Sequence, residues 1–400
     1  MEGADHLDEL DRRIVIALQA NGRASWTEIA EQCGTSVATV ARRGQQLLRD
    51  GVVRVAVMPD INHDGESDLF MLRITCAPGT QMRVLGALSL RTDVRFLGLV
   101  TGAYDILAEL NVRRTDSLHS RIVNEVQAID GVLRCDTDLT LNVYKMAHDW
   151  SQQLDTGAVR TRGVELHRCD QSHFDPADHK IIALMAEDGR ASFRSLATAL
   201  GVNESTVRRR FETLQGRGCI HLVTLVPSAA LGFGSEIFLN ISVAPALLDT
   251  VARQLATYRG VRYVAAMLSH SALLCELILP TTQDVFEFTN GTLGRLDGVL
   301  EWTANVVLLV VRRGFVETPW WRRGAGLPAP EPASVPASVA GSSVAGTAAE
   351  SLDAGALEAV SAVASDASPT SPAVAELVES ATSARSVRKK GLVSTRDGGR

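Results

Sequence analysis

The sequence predicts an α+β chain built twice on one plan, a small helical module followed by a mixed helix-and-strand unit, and three observations carry that prediction. From Gly22 to Gly51 the apolar residues recur at three-and-four spacing on either side of Gly34, the pattern of two short amphipathic helices joined by a tight turn. Shifting the chain by 167 residues, so that Gly22 falls on Gly189, lays Leu7–Arg54 on Phe174–His221 without a gap; fifteen of the 48 pairs are identical, including the whole run GRAS, so the module is present twice. The segments that follow each module alternate as βαββαβ and keep the same offset, with Arg95 on Arg262, Glu109 on Glu276 and Gly131 on Gly298.

Taken in order, Leu7 to Asn21 reads as a first helix with Leu10, Ile14, Ala17 and Leu18 on one face. Ser25, followed three residues later by Glu28, has the form of a capping box for a second helix, and Ser36 can cap a third that runs to about Arg49. That third helix carries no acidic residue before Asp50 and keeps Thr39, Arg42, Arg43 and Gln46 off its apolar stripe, a face suited to phosphates and base edges. Gly44 is out of place there: the second copy has Phe211, and glycine costs about 1 kcal/mol of helix propensity relative to alanine. Val52 to Met58 has the β-branched content of a strand and is expected to be a short wing or tether, with a hinge over Pro59 to Ser67.

From Asp68 the expected elements are a strand over Leu69–Cys76, a helix over Thr80–Leu90, strands over Val94–Val100 and Ile106–Val112, a helix capped at Thr115 or Asp116, and a strand reaching Val143. This is the order of a ferredoxin-like split unit, two helices on one face of a four-stranded antiparallel sheet, whose other face needs cover from a second sheet. The expected boundaries are a first helical module over 1–58, a first sheet unit over 68–146, a linker over 147–173, a second module over 174–226, a second sheet unit over 235–313 and a tail over 324–400. The tail is rich in Ala, Ser, Val and Pro and nearly free of aromatics, so it reads as disordered with a marginal helix near Leu352–Val363.

Composition bounds the class. With 46% apolar residues and a net charge of -6, the chain is ordinary globular protein, and any nucleic-acid affinity must come from local rather than total charge. Apolar runs such as Val306–Val311 are too short to span a bilayer, and the acidic start MEGADHLDELD lacks the apolar core of a secretory signal. Six cysteines without a C-x-x-C pair point to buried thiols in a reduced, cytoplasmic protein, with no metal and no cofactor expected.

The run LDELDRRI, then GRAS, then the Thr39–Leu47 helix, GVV at Gly51 and TGAYD over Thr101–Asp105 together resemble the Lrp/AsnC family of bacterial transcriptional regulators. The second copy repeats the resemblance in FDPADHKI, GRAS, STVRRRFETL and GCI, over about residues 174 to 312. The resemblance implies two fused copies of a winged helix-turn-helix domain followed by a ferredoxin-like effector and oligomerisation domain. It implies double-stranded DNA as partner, an amino acid or related metabolite as effector, pairing of the sheet domains within one chain, and further homo-oligomers. The DNA-facing set is then Ser36, Ala38, Thr39, Arg42 and Arg43 in the first copy and Asn203, Ser205, Thr206, Arg208, Arg209 and Arg210 in the second, with family position making Arg43 and Arg210 partly structural. By the same resemblance effectors bind near the loop holding Gly102, Tyr104 and Asp105; Gly102 permits a tight turn, and the Asp105 carboxylate could receive an ammonium group or simply decorate a hairpin. In the second copy this loop is LSHSA, so Ser269, Ser271 and Ala272 replace those three, and His270 could contact a ligand or, as an isolated polar residue in a turn, simply be solvated.

Two other readings follow the same architecture. Tetrapyrrole (siroheme) decarboxylases resemble the family and need histidine and basic residues around a large cavity; against them, the sheet segments offer only His270 and few grouped polar residues. An architectural DNA-binding protein would need the basic helices and no pocket.

Overall fold

In the computed structural model, which describes residues 7–60, 67–148, 150–151 and 173–324, each GRAS run opens into the helices expected of it. The first module has α1 (Glu9–Ala20), α2 (Trp26–Cys33) and α3 (Val37–Arg49), and the second has α5 (Pro176–Glu187), α6 (Phe193–Leu200) and α7 (Glu204–Gly216). Ser25 accepts from the backbone of Glu28, whose carboxylate accepts from Ser25 N in return, so the capping box forms as the spacing predicts. Gly34 and Gly201 end α2 and α6 in the left-handed conformation, which turns the chain into α3 and α7.

The strands after the modules do not form a wing inside either one. β1 (Arg54–Pro59) pairs antiparallel with β6 (Ile220–Leu225), from Arg54 opposite Leu225 to Pro59 opposite Ile220, so one two-stranded ribbon is shared by both copies. Short-range pattern shows a strand and leaves its partner open, and here the partner comes from the other copy.

Between the modules' strands and the end of the described chain lie β2 (Ser67–Cys76), α4 (Gln81–Ser89), β3 (Val94–Val100), β4 (Ile106–Arg113) and β5 (Val132–Met146), and then β7 (Ser235–Val243), α8 (Leu248–Thr257), β8 (Val261–Leu268), β9 (Leu273–Leu279), α9 (Thr282–Glu287) and β10 (Val299–Arg313). The second helix of each half is widened where α-helix is expected: Ser120–Val126 and Phe288–Thr292 have π pitch.

The expected cover of one sheet by a second takes another form, because the two halves join edge to edge. β5 runs along β2 and then β8, β10 runs along β7 and then β3, and the ring β10-β3-β4-β2-β5-β8-β9-β7 closes back on β10. A closed barrel leaves no sheet edge open for wrong pairing. Its interior is filled by Met71, Phe96, Leu107, Phe238, Tyr263 and Leu274, and two outer cores form beneath α4 and α8. The short β11 (Val316–Glu317) and α10 (Pro319–Gly324) follow, with the indole of Trp321 fully buried beside β10. The expected hinge over Pro59–Ser67, most of the linker and the tail with its marginal helix fall largely outside the described residues.

Candidate nucleic-acid interface and effector loop

The two modules are locked together at their GRAS runs. Arg23 donates to the carbonyls of Gly189 and Ala191 at 2.7 and 2.9 Å, and Arg190 donates reciprocally to those of Gly22 and Ala24. Arg23 also lies 4.5 Å over the Phe193 ring and Arg190 4.4 Å over the Trp26 ring, so both guanidiniums stack as well as donate. Gly22 and Gly189 have no room for a side chain: a Cβ would lie 2.8 Å from Val55 and 2.9 Å from the ribbon backbone respectively. The repeated run that marks the duplication in sequence is therefore the joint between the copies. This role escaped the sequence reading because its partner is the other copy of the same motif.

The recognition helices α3 and α7 project from this fixed pair. Arg42 and Arg209 are exposed and take no ion-pair partner among the described residues, while Ala38, Ser205 and Asn203 are exposed and Thr39 and Thr206 half-buried. Ser36 is occupied as the N-cap of α3, accepting from Thr39 N at 3.2 Å. Arg43 and Arg210 depart from the DNA-facing expectation: Arg43 bridges Asp8 and Asp11 of its own first helix, and Arg210 bridges Asp175 and Asp178. These paired carboxylates hold both guanidiniums against their own modules. Arg208 is shared between Glu204, at 3.1 Å, and the Phe193 ring. Val37 and Val202 are exposed at the start of the two recognition elements.

Gly44 is accounted for by its neighbour. A Cβ there would lie 2.4 Å from the Trp26 ring, which fills the place that Phe211 takes against Phe193 in the other copy.

At the loop between β3 and β4, Gly102 has φ +104° and a Cβ would lie 2.4 Å from Asn305 Nδ2, so glycine is required on both counts. Tyr104 is buried, and that burial raises its phenol. The Asp105 carboxylate is not a bare hairpin decoration: it accepts from Cys76 N at 2.8 Å and from Gln81 Nε2 at 3.4 Å. The structure thus ties one oxygen firmly and the other loosely. In the second copy His270 is exposed.

A polar cluster lies inside the molecule where few grouped polar residues were expected. Arg95 bridges Glu109 at 2.5 Å, Arg262 bridges Glu276 at 2.7 Å, and Arg313 bridges both Glu276 and Glu236. The Arg262 and Arg313 guanidiniums hold the Glu276 carboxyl down at about 2, whereas burial raises that of Glu236. His148 stacks on His221 at 5.8 Å, and burial beside Arg262 keeps its imidazole well below the ordinary range. The repeated Arg and Glu positions were legible as repeats; that they meet in space was not. Among the described residues no group of three or more His, Cys, Asp or Glu could hold a metal ion, and Cys33, Cys76, Cys135, Cys219 and Cys275 are free thiols.

An AsnC-type helix-turn-helix domain matches residues 7–48 and again 174–215, and an Lrp/AsnC ligand binding domain matches 69–149. An uncharacterised HTH-type transcriptional regulator of Pyrococcus abyssi is 32% identical over 143 residues, covering 36% of this chain and 90% of that protein. The regulatory protein AsnC of Escherichia coli is 28% identical over 139 residues, covering 34% of this chain and 90% of that protein. Among solved structures, the siroheme decarboxylase NirDL aligns over 76% of this chain and 92% of its own, with a TM-score of 0.50 and 13% identity, a likeness of fold.

Proposed function

The chain belongs to the Lrp/AsnC family of helix-turn-helix transcriptional regulators, and from that membership we propose that one chain presents both reading heads of a sequence-specific regulator to two half-sites. It is a DNA-binding regulator with a ligand-binding domain. The observation that supports the finer reading is the pair of exposed, unbridged arginines Arg42 and Arg209, carried on helices fixed to each other by Arg23 and Arg190. Arginine in that setting takes phosphate oxygens or guanine edges, and the exposed Val37 suits a thymine methyl. The Ala38, Thr39, Asn203, Ser205 and Thr206 side chains complete the reading faces. In a gel-shift titration the double variant Arg42→Ala, Arg209→Ala should lose about 1 to 3 kcal/mol per base-reading contact and show a shallower salt dependence. Unchanged affinity would remove both residues from the interface.

The same reading makes each half of the barrel one ferredoxin-like effector unit of a cytoplasmic, intrachain pseudo-dimer that assembles further. An amino acid or related metabolite would bind at Gly102, Tyr104 and Asp105, with at most one such site per chain, because Ala272 supplies no carboxylate and an unpartnered buried ammonium costs several kcal/mol. Calorimetric titration of the amino acids that raise the melting temperature should give no more than one equivalent at this site and lose it in Asp105→Ala. A decarboxylase reading draws on the shared fold and the half-buried His148 with its arginines; a tetrapyrrole absorbance band retained through purification would favour it over ours.

A further inference from the structure

We propose that the chain carries a separate small-molecule site, a cavity between the β1–β6 ribbon and the barrel, that takes an apolar or aryl monocarboxylate with its carboxylate on Arg262. The cavity has a volume of about 310 Å³, and a smaller one of about 40 Å³ shares its His148, Arg262 and Arg313 wall. No residue of the Gly102–Asp105 loop lines it.

Its lining is of two kinds. Trp150, Val223, Leu225, Phe233 and Trp320 are apolar, with Trp150 packed edge-on to Phe233 at 5.3 Å. His148, Glu236, Arg262 and Arg313 are polar or charged. Arg262 is 6% exposed; its Nη1 goes to Glu276 and its Nε is buried with no acceptor. A carboxylate that reaches this guanidinium from the cavity gains a charge-assisted hydrogen bond. The aromatic lining selects a ligand whose remainder is apolar.

The duplication supplies a control within the molecule. At the 167-residue offset Arg262 matches Arg95, whose Nε is also open, but Arg313 matches Met146, Glu236 matches Leu69 and Leu225 matches Met58. On that side Met58, Met71 and Met146 line the small cavity, Arg95 Nη1 lies 3.6 Å from the Met146 sulfur, and Met58 packs against Gly314. Among the described residues the two sides therefore differ in kind, with methionine and leucine on one and charge on the other.

The carboxylates already present fix the ligand's charge. Arg262 and Arg313 are paired with Glu276, and Arg313 also with Glu236, whose charge desolvation works against. An incoming carboxylate therefore competes with Glu236 for the guanidiniums; an ammonium would face both arginines.

The test titrates the full chain calorimetrically with 3-phenylpropionate and with its neutral carboxamide. The acid should bind with one equivalent per chain, and the amide at least about tenfold more weakly, the discrimination expected when a charge-assisted bond is lost. Ala229→Phe, which fills the cavity from a short surface helix, should abolish binding; Glu236→Gln, which keeps the hydrogen bond to Arg313 and removes a negative charge, should tighten it severalfold. Asp105→Ala should leave it unchanged, which separates this site from the effector loop. No binding of the acid, equal binding of acid and amide, weaker binding by Glu236→Gln, or loss in Asp105→Ala would each overturn the proposal.

Discussion

Arg23 and Arg190 carry the same charge as Arg42 and Arg209, yet each gives its guanidinium to the carbonyls and an aromatic ring of the other module. Removing both should weaken binding to an operator with two half-sites while leaving affinity for an isolated half-site nearly unchanged, and should cost about 1 to 3 kcal/mol of stability at each residue. Gel shifts on paired and single sites, with urea melts, separate these effects. Gly44 makes a second residue-scale case. Alanine there would gain helix propensity and lose more by meeting Trp26, so Gly44→Ala should destabilise by about 1 to 3 kcal/mol, and Trp26→Phe in the same chain should recover most of that in a thermal melt. A third concerns pH. His148 is held neutral in the folded protein, its imidazole below the unfolded value of 6.5, so the unfolded chain binds the extra proton and stability falls as pH drops below about 6.5. Urea midpoints between pH 7.5 and 5.5 should decline in the wild type, and His148→Phe should flatten that decline.

At the scale of elements, the helices were legible because their signals are local: caps at Ser25, Ser36 and Ser192, left-handed glycines at Gly34 and Gly201, and apolar spacing between them. Strands were legible as strands and not as pairs. The pattern of Val52–Met58 says that one face is buried, and nothing within seven residues can say that the burying partner is β6, more than 160 positions away. The same limit hid the closure of the barrel and the internal meeting of Arg262, Arg313, Glu236 and Glu276, whose positions stood in view as unpaired charges on apolar strands. In the recognition helix, spacing could place Arg43 on the polar side; only the packing of α1 shows that Asp8 and Asp11 claim it. An exchange of Asp8 and Asp11 for asparagine should therefore lower the melting temperature, and under the proposal that Arg42 rather than Arg43 reads DNA it should leave the salt dependence of DNA binding as it is.

Across the whole molecule, the two reading faces are held together but are not alike. Ser36 and Ala38 correspond to Asn203 and Ser205, and Val37 to Glu204, so a footprint of the bound operator should show unequal half-sites. Perfect palindromes would mean that like modules pair between chains. The strands β5 and β10, each running from its own half into the other, have one consequence at the scale of the cell. A regulator assembled from two separate polypeptides must first find its mate, so at low abundance its promoter occupancy climbs with the square of copy number. A regulator that carries its mate on the same polypeptide responds in simple proportion. Doubling the gene dose of this chain in a reporter strain should then double operator occupancy in the dilute regime if one chain fills both half-sites, and a fourfold rise would show that the further assembly proposed above precedes DNA binding.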